Sequence, residues 1–412
     1  VLRPGQLPHE LLWLPVQLFG LAPGVAYALG AVCTLGALWL MWRLMVDLRG
    51  RRFADVALLA ALCISYYNNR LYYYNHNVVM LLASSAAAFA CWRAYSTRRL
   101  RWWLALGASL GLGALAKYQI ALTVLALLGF ATRQRLWHDA AQRRGLLAAA
   151  ALASALFAPH LLWLDAHDFA PLGYAMSSSL GVAHSLPQRL TGALQWSADQ
   201  LLNRGLPALL LLGIAAWSAR GAPRGGAAAP SPATAETRAA RELLLWWGWL
   251  PLLATTLLGV ATGAELQLHW GTAFVLFTVP ATMELLWRRI DWRAVRLRPL
   301  LAGFLAIQLL LLTINYASAP RGPQWLPERH WRHFESQKLA DAVLADPAVR
   351  RHGTLRVIAG PASIAGALAL RLPQRPLVLI DGRFDRSPWV PAELVQRCGM
   401  LQLDVAGVGD VP

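Results

Sequence analysis

The chain is poor in lysine and in charge generally. Of 412 residues, 38 are Lys or Arg, yet only Lys117 and Lys338 are lysines. Asp and Glu together number 21, and charged residues make up 14% of the sequence against 57% hydrophobic residues. This balance differs from that of soluble globular domains. It indicates a membrane protein.

Cysteine is scarce too, with Cys33, Cys63, Cys91 and Cys398 as the four examples. Their scatter excludes a disulfide framework and a cysteine-based metal site. The sequence contains no GxGxxG or P-loop pattern, so nucleotide binding has no support. A net charge of +17 favours nucleic-acid binding in a soluble protein. Here the charge is concentrated at bends between apolar stretches, so we predict no nucleic-acid partner.

More than half of the basic residues form five arginine clusters between apolar stretches. The clusters are Arg43/Arg49/Arg51/Arg52, Arg93/Arg98/Arg99/Arg101, Arg133/Arg135/Arg143/Arg144, Arg220/Arg224/Arg238/Arg241 and Arg288/Arg289/Arg293/Arg296/Arg298. The intervening bends hold few basic residues. Cytoplasmic loops of membrane proteins carry an excess of Lys and Arg. The alternation therefore predicts a multi-pass protein of the plasma (inner) membrane, with its functional site on the outer, periplasmic face.

A helix needs about 20 apolar residues to cross a bilayer. On this basis ten spans are predicted, near 22–46, 53–67, 75–93, 102–116, 117–132, 144–163, 203–219, 243–262, 269–288 and 298–316. Residues 9–19 are amphipathic and too short to cross, which is typical of an interfacial helix. Residues 220–241 are predicted to be a flexible cytoplasmic loop. Because the first full span runs from outside to inside, we expect a further segment before Val1.

The sequence pattern changes after residue 325, from long apolar stretches to short apolar runs. Strands are predicted at 355–359, 377–380 and 401–405, alternating with helices at 334–345, 362–371 and 391–398. This alternation indicates a small α/β unit with parallel strands. The predicted fold is thus an all-α polytopic domain at 1–316 followed by a periplasmic α/β domain at 325–412. Asp381 and Asp385 flank Gly382 and are interpreted as turn formers rather than catalytic carboxylates.

Lys117 is the lysine of the membrane region, at an outward turn after Gly113-Ala114-Leu115-Ala116. An ammonium group near the bilayer is costly unless it meets water or an anion. A compact charge on a flexible stem suits a phosphate oxygen. The alternative is a snorkelling anchor for the turn. From the residues alone, both interpretations stay open.

Two further groups of polar residues occupy outward turns. Asn75, His76 and Asn77 enter an apolar span and should face a cavity or a polar partner, because unsatisfied buried amides are costly. Arg70 lies nearby and could join Lys117 at an anionic head group. The tyrosines around them, at 66, 67 and 72–74, fit an aromatic belt at the membrane interface.

A later outward stretch contains His160, His167 and Asp168, which could bind an acceptor or act as bases. Their spacing is too loose to specify a metal site, so no metal is assigned and dependence on a divalent cation stays open. His269 precedes Trp270 at another outward turn, where an interfacial anchor is the alternative. The outward carboxylates available for catalysis are Glu10, Asp165, Asp168, Asp199 and Glu265.

Four segments together resemble a known family. They are Tyr74-Asn75-His76-Asn77 at the start of a span, Gly111 to Tyr118 with its Ala-Lys-Tyr element, Ala158 to Trp163 continuing to Leu172, and Arg375 to Gly382 with Ser387-Pro388-Trp389. In order and spacing they resemble the GT-C membrane glycosyltransferases of family 39, which include protein O-mannosyltransferases and lipid A aminoarabinose transferases. The resemblance extends over most of the chain.

The resemblance implies an enzyme that moves a sugar from a polyprenyl-phosphate carrier to a lipid, glycan or protein acceptor on the outer face. In that family the Lys of the Ala-Lys-Tyr element contacts the carrier phosphate, which implies this role for Lys117. We predict that Tyr118 and Arg70 join it at the donor phosphate. The predicted cavity and acceptor residues are Asn75, His76, Asn77, His160, His167, Asp168 and His269. The family's catalytic acidic pair lies in a first outer loop, so it is expected upstream of Val1. No cofactor beyond the lipid-linked donor is implied, and membrane lipids are the other expected partners.

Two other functions remain open at this stage. A transporter or flippase for a lipid-linked sugar would use the same cationic cavity without breaking a bond. Transporters often carry internal repeats, and no convincing repeat is present, which favours the enzyme. A non-catalytic membrane subunit is the third interpretation.

Overall fold

The chain folds into two units in a computed structural model. The model describes residues 7–20, 22–68, 74–166, 168–169, 184–220, 234–287, 289–317, 334–387 and 389–404. The units comprise Val1–Thr313 and Ile314–Pro412. The first is helical and the second contains a small sheet. The predicted fold class, an all-α membrane protein with a C-terminal α/β unit, is confirmed.

The helical unit is built from thirteen α-helices in the described ranges. They are α1 Leu7–Phe19, α2 Pro23–Arg49, α3 Arg51–Ala61, α4 Ser65–Asn68, α5 His76–Thr97, α6 Leu100–Ala116, α7 Ala121–Arg133, α8 Ala140–Asp165, α9 Leu186–Ala198, α10 Leu206–Ala219, α11 Ala235–Thr262, α12 Val275–Leu285 and α13 Leu297–Ala317. A π-helical segment, Asp199–Arg204, connects α9 to α10. Each of the ten predicted spans falls on one or more of these helices.

The lengths of the described helices support fewer than ten membrane crossings. Five described helices are long and apolar enough to cross a bilayer, namely α2, α5, α8, α11 and α13. Leu186–Arg204 and Leu206–Ala219 together form a sixth candidate, bent by 54°. The other predicted spans correspond to shorter apolar helices such as α3, with 11 residues, and α6, with 17. The protein is a multi-pass membrane protein, and the count of ten stays a prediction.

Helix starts follow from side-chain caps. The Asn75 side chain accepts hydrogen bonds from the backbone N–H groups of Asn77 and Val78, which fixes the start of α5. Asp139 caps α8 in the same way. The predicted flexible loop at 220–241 is wrong at its end, because α11 already begins at Ala235, capped by Thr234. The polar residues Glu236, Arg238 and Glu242 form its first turns, and such residues suit a helix as well as a loop.

Small residues bring α6 and α8 into close contact. A Cβ atom at Gly107 would lie 2.4 Å from the backbone oxygen of Ala149, and one at Gly145 would lie 2.2 Å from Trp103. Neither position has room for a larger residue. Close backbone approach through small residues is typical of helix pairs in membranes. This pair carries both Lys117, directly after α6, and His160 on α8.

Described residues of the five arginine clusters lie close to one another in the helical unit, and Arg49 of the first cluster and Arg293 of the fifth both lie over the ring of Trp287. Salt bridges link the first cluster to the second, the second to the third, the third to the fourth, and the first to α12. The four links are Arg93–Asp47 at 3.4 Å, Arg98–Asp139 at 3.1 Å, Arg133–Glu242 at 3.5 Å and Arg49–Glu284 at 2.8 Å. We call this surface the arginine face. The alternation of basic and non-basic bends in the sequence predicts such a face.

One of these links is buried. The side chains of Arg49 and Glu284 are only 5% and 4% exposed. Arg49 forms two bonds to the carboxylate, at 2.8 and 2.9 Å, and a third at 3.1 Å to the backbone oxygen of Thr237. A buried charge is tolerated only when it is paired and hydrogen-bonded in this way. The pair ties the end of α2 to α11 and α12.

The C-terminal unit is a three-stranded parallel sheet with helices. Its elements are α14 Ser336–Ala345, α15 Pro347–His352, β1 Val357–Gly360, α16 Ala362–Arg371, β2 Leu377–Ile380, α17 Ala392–Cys398 and β3 Leu401–Gln402. The strand order is β2-β1-β3, and both pairings are parallel, as predicted. Fully buried Ile358 and Leu368 form part of its own core.

The two aspartates after β2 occupy a turn, as interpreted from the sequence. Asp381 and Gly382 both have positive φ, 52° and 69°. Asp381 bonds Arg386 at 2.8 Å, and Asp385 bonds Arg383 at 3.0 and 2.6 Å. The hydrogen bond from Arg383 holds the pKa of the Asp385 carboxyl below its usual value. Both carboxylates are therefore engaged within the turn.

Candidate functional site

Lys117 sits in a break between two apolar helices. Helix α6 ends at Ala116, Lys117 is extended with φ −163°, and a 3₁₀ turn at Tyr118–Ile120 leads into α7. The Lys117 Nζ donates a hydrogen bond of 2.8 Å to Oδ1 of Asn77. The same Nζ lies 5.8 Å from the ring centroid of Trp270, a cation–π distance. An ammonium has three donors, and one of them is used by Asn77.

The three polar residues at the start of α5 divide into separate roles. Asn75 caps the helix. Asn77 is 2% exposed and accepts the bond from Lys117. The His76 ring lies edge-on to the ring of His269, with centroids 6.5 Å apart. The prediction that polar groups entering this span meet polar partners therefore agrees with the geometry at Asn77.

His160 and Tyr118 form an aromatic pair beside Lys117. The Tyr118 hydroxyl lies 2.7 Å from Nε2 of His160, and the two rings stack with centroids 5.6 Å apart. Phe157 packs edge-on against His160 at 4.9 Å. His160 is fully buried, whereas Tyr118 is 37% exposed. His160 therefore holds a partly exposed tyrosine in place next to the lysine.

A cavity of about 710 Å³ opens nearby, between α9, the π-helical segment and the loop after α11. We call it the outer cavity. It is lined by His184, Pro187, Gln188, Arg189, Thr191, Gly192, Gln195, Trp196, Asp199, Gly263, Ala264, Glu265, Leu266 and Leu268. Volumes of this order are typical of small-molecule sites. The lining mixes a cation, two carboxylates and apolar surface.

Arg189 is the cation of the outer cavity. Its Nε donates to the backbone oxygen of His184 at 2.9 Å, and its Nη1 donates to that of Ala261 at 3.2 Å. Gly263 has φ +72°, and a Cβ there would lie 2.9 Å from the Arg189 guanidinium. Gly263 therefore provides both the left-handed turn after α11 and the space for this arginine.

The two carboxylates of the outer cavity differ in their partners. Asp199 bonds Arg204 at 3.1 Å and accepts a bond of 2.6 Å from Asn203. Glu265 is exposed and forms no ion pair within the described ranges. Glu265 is therefore the carboxylate that is available to an acceptor.

The segment 264–270 connects the outer cavity to Lys117. Ala264, Glu265, Leu266 and Leu268 line the cavity, while His269 and Trp270 contact His76 and Lys117. Buried Gln200 of the π-helical segment anchors it through a 3.0 Å bond to the Leu268 oxygen. Trp196 donates to the Gln267 oxygen at 3.1 Å. The first residues of this segment thus line the cavity, and its last residue contacts the lysine.

The structure places some predicted site residues together and leaves others apart. One group lies around segment 264–270 and consists of Lys117, Asn77, His76 and His269. Tyr118 and His160 lie beside Lys117. Asp168 is exposed at the end of α8 in a positive-φ turn, and its side chain has no described partner in this cluster. Arg70 and His167 lie outside the described residues. Among described residues, no group of three or more His, Cys, Asp or Glu side chains could hold a metal ion.

Sequence reasoning missed Arg189, Gln200 and Trp270 as site residues. Arg189 is one of the few basic residues in the bends between the arginine clusters, which is a usable signal. Gln200 gave none, because its position depends on a π-helical turn that has no sequence signature here. Trp270 resembles any interfacial tryptophan until the fold brings it to Lys117.

Comparison with known proteins supports the resemblance. The family described as dolichyl-phosphate-mannose-protein mannosyltransferase matches residues 8–163. This range contains Asn77, Lys117, Tyr118 and His160. Comparison with curated protein sequences gives no match.

Two solved structures share the fold. Both are of ArnT from Cupriavidus metallidurans, one bound to undecaprenyl phosphate and one in the apo state. The first has 12% identity and a TM-score of 0.58, and covers 97% of this chain and 79% of that chain. The second has 13% identity and a TM-score of 0.55, with 96% and 78% covered. The predicted resemblance to GT-C glycosyltransferases of the mannosyltransferase and ArnT type is confirmed, and the chain has their fold.

Proposed function

We propose that this protein is a membrane glycosyltransferase that takes a sugar from a polyprenyl-phosphate carrier. The acceptor is a lipid, glycan or protein at the outer, periplasmic face of the inner membrane. The observation that carries the proposal is Lys117, held by Asn77 and Trp270 at the end of segment 264–270, whose first residues line the outer cavity. The match over residues 8–163 and the ArnT fold support it.

Lys117 is suited to the phosphate of the carrier. Its ammonium lies in a helix break, where two of its three donors are not used by Asn77. One of the two ArnT structures is bound to undecaprenyl phosphate. We therefore propose a polyprenyl phosphate as the carrier lipid of this protein's donor. Exposed Tyr118 adjoins the lysine and is held by His160. Arg189 is the cation that lines the outer cavity itself.

The reaction follows from these groups. A nucleophilic atom of the acceptor attacks the anomeric carbon while the bond from that carbon to the phosphate oxygen breaks. The phosphate keeps the electron pair, and negative charge develops on its oxygens in the transition state. A fixed ammonium at that point lowers the barrier electrostatically. No nucleotide site is required, because the donor reaches the cavity through the bilayer.

The acceptor must also lose a proton. Glu265 is the cavity carboxylate without an ion pair in the described ranges, so we propose that it binds the acceptor. The resemblance implies an acidic pair as the catalytic base that takes this proton.

The test is bond cleavage in liposomes containing the full-length protein. Undecaprenyl-phosphate mannose and undecaprenyl-phosphate aminoarabinose are offered separately, with a crude envelope lipid extract as acceptor. Mass spectrometry then measures release of free undecaprenyl phosphate. The proposal expects release with at least one donor, and loss of release in the Lys117→Met variant.

The same liposomes test the flippase alternative. A flippase would move a fluorescent donor between leaflets without releasing undecaprenyl phosphate. That result would exclude the transferase and leave Lys117 as part of a transport path.

A comparison of Glu265→Gln with Asp199→Asn tests which carboxylate binds the acceptor. We expect a higher acceptor KM for Glu265→Gln.

A further inference from the structure

A second cavity lies on the arginine face, apart from the residues assigned to transfer. Its volume is about 540 Å³, and it is lined by Trp217, Ser218, Arg220, Arg296 and Pro299. Arg220 belongs to the fourth arginine cluster and Arg296 to the fifth. We call it the arginine cavity.

The arginine cavity is built where two helices meet. Helix α10 ends at Ala219, directly before Arg220, and α13 begins at Leu297, directly after Arg296. A Cβ at Gly303 of α13 would lie 2.7 Å from Ile214 of α10, so the two helices touch. Ser218 is buried at this junction and donates to the Ala215 oxygen at 2.8 Å. Both arginines therefore stand at fixed helix ends rather than on a free loop.

The cations of this cavity lack acidic partners. Several arginines of the same face are paired with carboxylates, among them Arg49, Arg93, Arg98 and Arg133. Neither Arg220 nor Arg296 forms an ion pair with any residue that the structure describes. Two arginines that line one cavity without counter-charge attract an anion, and a guanidinium fork matches the geometry of phosphate.

Apolar surface continues from the cavity along the helices. Trp217 is 67% exposed although it lines the cavity. Leu210 lies two helical turns before it on the same side of α10, and Leu301 and Leu305 are exposed on α13. Tryptophan is enriched at the headgroup level of membranes, and leucine-lined helix faces contact acyl chains. The cavity therefore joins a phosphate-binding end to a lipid-facing surface.

We propose that the arginine cavity binds the head group of an anionic phospholipid of the cytoplasmic leaflet. Its phosphate lies between Arg220 and Arg296, the polar head group occupies the cavity beside Ser218, and the acyl chains lie along α10 and α13. Basic pockets between membrane helices on this side are suited to such lipids. The proposal depends on the membrane orientation and is independent of sugar transfer.

The experiment measures lipid retention by the full-length protein. Detergent-purified protein is mixed with phosphatidylglycerol or phosphatidylcholine of the same chain length, and bound lipid is counted by native mass spectrometry. Variant Arg220→Gln/Arg296→Gln is compared with Arg99→Gln/Arg144→Gln. The control removes two exposed arginines of the same face, which likewise form no ion pair in the described ranges. Gel filtration and thermal unfolding verify that both variants fold.

We expect one phosphatidylglycerol to be retained by the parent and by the control, in preference to phosphatidylcholine. The Arg220/Arg296 variant should bind it roughly 25-fold more weakly, about fivefold for each arginine at a membrane surface. Equal loss in both variants would mean diffuse attraction to the arginine face and would overturn the site. Full displacement by millimolar glycerol phosphate would make it a site for a soluble phosphate and overturn the lipid assignment. If the Arg220/Arg296 variant misfolds, the two single variants take its place, and each should show a loss of about fivefold.

Discussion

The ammonium of Lys117 donates to the amide oxygen of Asn77 at 2.8 Å, across forty positions of sequence. The bond joins the break after α6 to the first turn of α5. It fixes a positive charge beside segment 264–270 without neutralising it, because the partner is an amide. A neutral partner leaves the charge available to an anionic ligand.

Replacing Lys117 by Met is expected to lower transfer about 100- to 1,000-fold, the usual effect of removing one group that stabilises developing charge. The stem stays and only the charge is lost, so folding should be retained. The matched control is Lys338→Met, which removes the chain's other lysine from an exposed pair with Glu335. Initial rates in liposomes measure both. A parental rate for Lys117→Met would make this lysine a membrane anchor.

Replacing Asn77 by Asp is expected to raise the donor KM at least tenfold, since a carboxylate would compete with phosphate for the ammonium. Asn75→Asp is the control. It adds the same charge two residues earlier, and Asp caps a helix as well as Asn does, so its effect should be smaller. Titration with donor measures KM for both variants. Equal donor KM values for Asn77→Asp and Asn75→Asp would mean that the Asn77–Lys117 bond has no part in donor binding.

The Tyr118–His160 bond is expected to contribute about 0.5–1.5 kcal/mol, as intramolecular hydrogen bonds typically do. A double-mutant cycle with Tyr118→Phe and His160→Leu measures it by thermal or denaturant unfolding. Pairing Tyr118→Phe with Ser84→Ala gives the control, because Ser84 bonds Thr123 instead and the two changes should add. A non-additive control cycle would show that the coupling is not specific to His160.

Breaking the buried Arg49–Glu284 pair is expected to cost about 3–5 kcal/mol for either single change, Arg49→Met or Glu284→Leu, because each leaves an uncompensated buried charge. The double variant should recover most of that loss. Arg51→Gln, which removes an exposed pair with Asp55, should cost less than about 1 kcal/mol. Unfolding midpoints in one detergent provide the comparison. A double variant as unstable as the singles would contradict the explanation by charge burial.

The orientation predicts that cysteines placed at Arg99, Arg143 or Arg293 are shielded from an impermeant thiol reagent added outside cells. A cysteine at Glu265 should be labelled. Cys398 is replaced by Ser first, because it is the exposed native cysteine of the described ranges. Labelling of two arginine-face positions would reverse the topology and move the outer cavity to the cytoplasm.

Much of this fold follows from composition and charge. Arginine clusters such as Arg93–Arg101 mark the bends, because charge position is set by the cost of crossing the membrane. The parallel strands of the tail follow from short apolar runs alternating with helices. Span number does not follow, because α3 and α12, at 11 residues each, are shorter than a bilayer requires. Apolar sequence alone does not separate a full crossing from a partial one.

The site is predictable only where chemistry is unusual locally. Lys117 stands out because an isolated lysine in apolar sequence is costly, and Asn77 because a buried amide needs a partner. Trp270 reaches Lys117 across 153 positions of sequence, and Gln200 reaches Leu268 across 68. Such contacts depend on how the helices pack, and local periodicity does not contain that information.

The π-helical segment Asp199–Arg204 determines which way the side chains of α9 face relative to α10. A wide turn holds one residue more than an α-turn, and each residue advances a helix by about 100°. Deleting a single residue there would restore ordinary winding and rotate α9 by that angle relative to α10. Arg189, Gln195 and Trp196 would turn out of the outer cavity together. The composition of the cavity lining thus depends on a one-residue count in this segment, of which Asp199 alone is a lining residue.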